Sequence, residues 1–387
     1  MTDRLVDRIR GRMRVLAEDG LLRTLRPPSG IDLSSNDYLR LAGHPYVAGR
    51  LAEAVGREGA GSTGSRLLRG HREVFTAVES RFAGFKATDR SLYFSSGYLA
   101  NLAVLSTFPE AGDLILSDER NHASLIDGMR LSRARREVFP HNDVEHVRRL
   151  LDDTRETGQR FLVVESVFSM DGDEAPLEAY AERCLASGAH LIVDEAHAVG
   201  VYGTRGSGLI EARGVGNSVF LSVNTAGKAL GVSGAFVAGA GWAIDYLIQR
   251  ARPFIFSTAP PPAIASALDA SLDLVEREPW RRETVLARAS DLRRRLRQAG
   301  LPLSEGGSQI VPVIIGDNAR AVTVADALAA AGFDVRAIRP PTVPPGTARL
   351  RVSVNVDVTT DVIGAFVAAL EEALASTARG RCFAGSS

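Results

Sequence analysis

Lys228 stands in "NTAGKALGVSGA", a run of small residues and glycines directly after an apolar stretch that reads as a buried strand. Asp194 lies near the end of a second such stretch, "HLIVDE", about one strand-helix-strand unit earlier. Strands buried on both faces belong to parallel sheets, and open α/β sheets collect their ligands at the carboxyl ends of those strands. Both side chains are therefore expected to reach one crevice. A lysine that is desolvated, or close to another cation, is a nucleophilic amine able to form a Schiff base. A carboxylate facing a pyridine nitrogen keeps that ring protonated, so that it can take up electrons released at a neighbouring carbon. Together they form the pair that pyridoxal phosphate requires. Taken singly, each has a plainer reading: a snorkelling surface lysine, and an aspartate ion-paired with an arginine.

His197 follows Asp194 by three residues and could hydrogen-bond a ring hydroxyl, although a lone histidine there also suits an ordinary turn. The stretch "YFSSGYLAN" reads as strand, small-residue turn and helix start. The backbone N–H groups of Gly97 and Tyr98 would then point outward at a helix N-terminus, where a phosphate is favoured; a plain strand-to-helix turn is the alternative. Thr225 adds a hydroxyl on the lysine loop.

Two other motifs do not carry the chemistry that their letters suggest. "DEAH" at positions 194–197 matches an acidic helicase box, but "GAGSTGSR" at 59–66 has arginine where a phosphate loop needs lysine followed by Ser or Thr. "GAGWAI" from Gly239 lacks the third glycine and the downstream acid of a dinucleotide fingerprint.

The elements that must position these residues alternate along the chain. "SLYF", "DLILS", "REVF", "FLVVES", "HLIVDE" and "VFLSVN" read as strands separated by helical patterns, which predicts an α/β layer with a mostly parallel sheet. A long arginine-rich helical stretch, roughly 263–299, reads as a connector. Beyond it "IVPVIIG", "FDVRAI" and "ARLRVSV" with two helices predict a smaller α+β domain, and "STARGRCFAGSS" a disordered tail. The expected division is an N-terminal arm over 1–40, a large domain over 41–262, connector and small domain over 263–377, and a tail over 378–387. A chain of 387 residues suits two or three cores. It carries 46 basic and 46 acidic residues, so net charge recruits neither nucleic acid nor a membrane surface. Cys184 and Cys382 have no metal-ligand spacing, and with the lack of an apolar leader they predict a reduced, cytoplasmic protein without a resident metal. The uncharged stretch 229–244 is too short and too rich in glycine for a membrane span.

The stretches "LSSNDYLRL", "GSTGSRLLRGH", "SSGYLANLAV", "NHASLIDG", "ESVFSMDGD", "VDEAHAVGVYG", "NTAGKALGVSGA", "FIFSTAPPP" and "AIRPPTVPPGTARLRVSV" occur in order from about Leu21 to the last helix. In them the chain resembles the α-oxoamine synthases, which are fold type I pyridoxal-phosphate transferases, and within that family the branch that serves biotin synthesis. The resemblance implies that Lys228 is the Schiff-base lysine, Asp194 the pyridinium partner and His122 the residue stacked over the ring. It assigns the ring oxygen to His197 and Ser169, and the phosphate to Gly97, Tyr98 and Thr225, with Ser257 or Thr258 from a second subunit. Asn36 and Arg349 are implied for the amino-acid carboxylate, and Arg23, Arg339 and Thr342 for other substrate contacts.

The implied reaction is the decarboxylating condensation of L-alanine with pimeloyl-CoA or pimeloyl-acyl carrier protein, giving 8-amino-7-oxononanoate, CO2 and free thiol in a homodimer. The alternatives are other family members, which differ in amino acid and acyl group, and a non-catalytic scaffold of the same fold. "AGKAL" and His71 depart from the usual pattern of the biotin branch, which bears on acyl preference and leaves the reacting residues intact.

Overall fold

The computed structural model describes residues 4–152, 158–303 and 306–383. The chain divides into a larger unit, Asn36–Ser169 with Asp173–Leu286, and a smaller one, Met1–Ser35, Met170–Gly172 and Ala287–Ser387.

Every apolar run read as a strand in the larger unit forms one. They build a seven-stranded sheet in the order Arg90–Phe94, Ala235–Gly239, Val219–Thr225, His190–Asp194, Arg160–Glu165, Leu114–Asp118, Arg135–Phe139. Pairing is parallel from Val219–Thr225 through to Arg135–Phe139. Ala235–Gly239 runs antiparallel to both its neighbours. Sequence reading missed this strand because three alanines and glycines in five positions carry little β signal; burial between two partners makes it a strand regardless. Helices cover the sheet, and Leu92, Ile115, Val163, Ile192, Leu221, Val223 and Val237 from its strands share one core with Ala100, Val104, Leu125 and Leu247.

The smaller unit has its own core, in which Val311, Val313, Leu350 and Val352 meet Leu292, Leu328, Phe366 and Leu370. Its sheet is antiparallel, in the order Ala337–Ile338, Ala348–Ser353, Ile310–Gly316, and Ile31–Asp32 pairs in parallel with Phe333–Asp334.

Three expected boundaries shift. The connector is two helices, Ala263–Arg277 and Trp280–Gln298, because Pro279 disfavours helical backbone at Glu278. Ala263–Arg277 buries one face, including Leu268, Leu272 and Val275, against helices Pro45–Glu58 and Glu73–Lys86, so the larger unit extends to 286 and does not stop at 262. The arm joins the smaller unit only as far as Ser35. The last helix spans Thr360–Phe383, through most of the stretch expected to be a disordered tail; residues 384–387 lie outside the described residues. Among the described residues no helix is long and apolar enough to cross a membrane, and 229–244 forms a turn, a strand and a helix start.

Candidate active site

The carboxyl ends of the central strands bring Lys228, Asp194, His197 and His122 together. Asp194 closes its strand and is buried. Its Oδ1 accepts from the Ala196 N–H at 2.8 Å and its Oδ2 from Asn101 Nδ2 at 2.7 Å. The second Asn101 N–H reaches Ser124 Oγ at 2.9 Å, and that hydroxyl lies 2.7 Å from His122 Nδ1. One amide therefore links the buried carboxylate to the histidine that caps helix Ala123–Leu131. Desolvation by the surrounding walls holds the His122 imidazole below its ordinary pKa; Asp194 opposes this and Lys228 adds to it.

Lys228 follows strand Val219–Thr225 on a turn closed by Gly231 N–H to Lys228 O at 2.8 Å and Val232 N–H to Ala226 O at 3.0 Å. Gly231 has φ +64, and a Cβ there would lie 2.3 Å from Ala42 N, so the turn requires glycine. Ala229 and Leu230 bury their side chains and fix the loop. Lys228 Nζ lies 2.8 Å from His197 Nε2, His197 Nδ1 lies 2.7 Å from Tyr38 Oη, and Tyr38 donates to Asn36 Oδ1 at 3.0 Å. If the proton of the neutral imidazole is on Nδ1, every donor in this line has an acceptor. His197 is buried, so its ring is held by both neighbours.

At the start of helix Gly97–Thr107, Ser96 Oγ accepts from Leu99 N–H at 3.2 Å, leaving the Gly97 and Tyr98 N–H groups at the open end. A Cβ at Gly97 would sit 2.4 Å from Thr225 Oγ1. The hydroxyl of the lysine strand and the first turn of this helix thus form one cradle whose room depends on the missing side chain. A phosphate fits it on charge and on donors. With an amine, a buried carboxylate and an imidazole alongside, the residues present fit pyridoxal phosphate.

The aminotransferase class I and II model matches residues 28–370. The chain belongs to that family. A relative named 8-amino-7-oxononanoate synthase, from Anaeromyxobacter dehalogenans strain 2CP-1, is 44% identical over 95% of this chain and 96% of its own length. A variant serine palmitoyltransferase from S. paucimobilis, solved with a bound PLP–myriocin aldimine, superposes with a TM-score of 0.89 at 29% identity, covering 96% of this chain and 97% of its own. The 8-amino-7-oxononanoate synthase of Francisella tularensis does so with a TM-score of 0.78 at 29% identity, over 90% and 99%. This family member is a fold type I, pyridoxal-phosphate-dependent acyltransferase, and pyridoxal phosphate is its cofactor.

The remaining expected residues differ in how they are engaged. Ser169 is buried and follows strand Arg160–Glu165 in the larger unit. Ser257 is half-buried and Thr258 exposed, on a segment bridged to Ser65. In the smaller unit Arg349 is buried and pairs with Asp171 Oδ1 at 2.6 Å while donating to the carbonyls of Met170 and Thr347. Arg339 donates to the Gly20 and Leu22 carbonyls, so it clasps the N-terminal segment, and burial with Arg23 and Arg26 nearby lowers its pKa. Arg23, Arg339 and Thr342 share the wall of a cavity of about 550 Å³ with Asp326 and Asp334. Sequence reading passed over Tyr38, Asn101, Ser124 and Glu165. Asn101 was findable, one helical turn beyond Gly97 on the same face, and Glu165 ends a strand just as Asp194 does.

Proposed function

We propose that this enzyme makes 8-amino-7-oxononanoate for biotin synthesis, condensing L-alanine with pimeloyl-CoA or pimeloyl-acyl carrier protein and releasing CO2 and free thiol. The observation that carries the reading is the line from Lys228 through His197 to Tyr38, set beside the buried Asp194 at the strand ends. Bound pyridoxal phosphate supplies an electron sink for breaking bonds at the amino-acid Cα.

The protein residues do the rest. Asp194, steadied by Asn101 and the Ala196 N–H, accepts a hydrogen bond from the pyridinium N–H and keeps that proton in place. The Gly97 and Tyr98 N–H groups and the Thr225 hydroxyl bind the phosphate, and Ser257 or Thr258 of a second copy adds to them in a homodimer. His197 and Ser169 hold the ring oxygen. His122, kept neutral by desolvation, covers the ring face without adding a cation. Lys228 would anchor the cofactor and, with its amine free, would take the Cα proton; His197 accepts a hydrogen bond from that amine and orients it. We assign Asn36 and Arg349 to the amino-acid carboxylate, and Arg23, Arg339 and Thr342 to the acyl substrate. The enzyme is proposed to work in the cytoplasm.

Incubating the holoenzyme with alanine, glycine or serine and with pimeloyl-CoA or succinyl-CoA, read by mass spectrometry, tests this. Product with alanine and pimeloyl-CoA is expected. Turnover with glycine and succinyl-CoA and none with alanine would replace the substrate assignment. Turnover with serine alone would favour the chemistry named for the palmitoyltransferase neighbours.

A further inference from the structure

Glu165 has no part in the roles above, yet it lies at their centre. It closes strand Arg160–Glu165 and is the register partner of Asp194 on the adjacent parallel strand. Its side chain is buried, and Oε1 has no hydrogen-bond partner. The backbone N–H groups of His122 and Ser169 face the same carboxyl from two further segments. Four pocket residues, Asp194, Lys228, His122 and Ser169, thus act on one buried acid.

Two carboxyl groups side by side out of water do not both ionise readily, so a proton stays with one of them. The hydrogen bonds decide which. Asp194 accepts two well-formed bonds from an amide and a backbone N–H, both suited to an anion. Glu165 has one oxygen without a partner, an arrangement costly for a charge and tolerable for a neutral acid. A second anion here would also hold Lys228 as the ammonium, which is not nucleophilic.

We propose that Glu165 is an uncharged positioning residue of the cofactor pocket, tying the His122 and Ser169 segments to the sheet edge and leaving the negative charge to Asp194. Consistent with this, burial first and the Asp194 charge second push the Glu165 carboxyl up to about 8, against Lys228 and the two N–H groups.

The proposal rests on the cofactor assignment. Its test compares wild type, Glu165→Gln and Glu165→Leu for pyridoxal phosphate affinity at pH 7 and for the pH dependence of the bound cofactor's visible band. Glu165→Gln is expected to bind within about threefold of wild type and to lose a spectral limb near pH 8 that wild type shows. Glu165→Leu, which strands two buried N–H donors, is expected to bind about tenfold more weakly or worse. A glutamine variant as weak as the leucine one, or one that keeps the limb, would overturn the proposal. If the leucine variant does not fold by circular dichroism, the presence or absence of that limb in the glutamine variant decides alone. A wild type that binds no cofactor would sink the site reading itself.

Discussion

Lys228 Nζ lies against His197, whose other nitrogen is held by Tyr38. The imidazole thereby aims the amine, which suits a group that must act first as a nucleophile and then as a base. Lys228→Ala removes both functions. Turnover is expected to fall by at least roughly 10²–10⁴-fold, and the visible band of the bound cofactor should shift to that of the free aldehyde, as read by absorbance. Retention of the wild-type band would mean that another amine holds the cofactor. Asp194 illustrates the opposite strategy. A buried carboxylate is costly by itself, and here Asn101 and the Ala196 N–H offset that cost before any ligand arrives.

The loops at the strand ends owe their order to clamps between elements. His141, on the turn after strand Arg135–Phe139, lies 2.9 Å from Asp118 and 2.5 Å from Asp173, with Asn142 beside it and the Phe168 ring edge-on at 4.4 Å. Asp173 O accepts from Phe168 N–H, and Val167 bridges Glu174, so the clamp holds the segment that carries Ser169. Burial alone would lower the imidazole pKa; the hydrogen bonds and charges of the two aspartates outweigh it and raise the group to about 9. A folded-state pKa above the unfolded 6.5 means that the native state holds the extra proton between these values. The contribution, at most about 3 kcal/mol, is therefore complete below pH 6.5 and is lost as pH rises through 9. Melting temperatures of wild type should fall relative to His141→Gln over that window, and parallel profiles would refute the clamp.

At the scale of the whole molecule, each unit has its own core, and the larger one contains an ion pair far from bulk water. Lys86, at the end of helix Glu73–Lys86, donates to Glu195 and to the Ser207 carbonyl, and Glu195 also accepts from the Ile210 N–H at 2.9 Å. Both side chains are buried. Removing one partner strands the other charge, so Lys86→Met is expected to cost about 3–5 kcal/mol, and removing both partners much less. Urea unfolding checks this through the midpoint at unchanged slope; a cost below about 1 kcal/mol would mean that water reaches Glu195.

Much of this was legible in the chain before folding. The apolar runs called six of the seven central strands, and residue types at strand ends marked Lys228, Asp194 and His197, because strand periodicity and the ligand position of parallel sheets are local consequences of sequence. The Lys228–Asp194 pair pointed to the cofactor, and the family resemblance added His122 and Ser169. Strand Ala235–Gly239 and the 286 boundary were not legible, since burial against partners distant in sequence decided them over weak local preference. Nor were the partners of the site: that Asn101 joins Asp194 to Ser124, that Tyr38 backs His197, and that Glu165 lies level with Asp194 depend on strand register and loop closure. Sequence by itself determined which chemical groups are available and at which strand ends they fall. Tertiary structure decided which of them share protons, because hydrogen bonding and desolvation act through space over a few ångströms and are blind to distance along the chain.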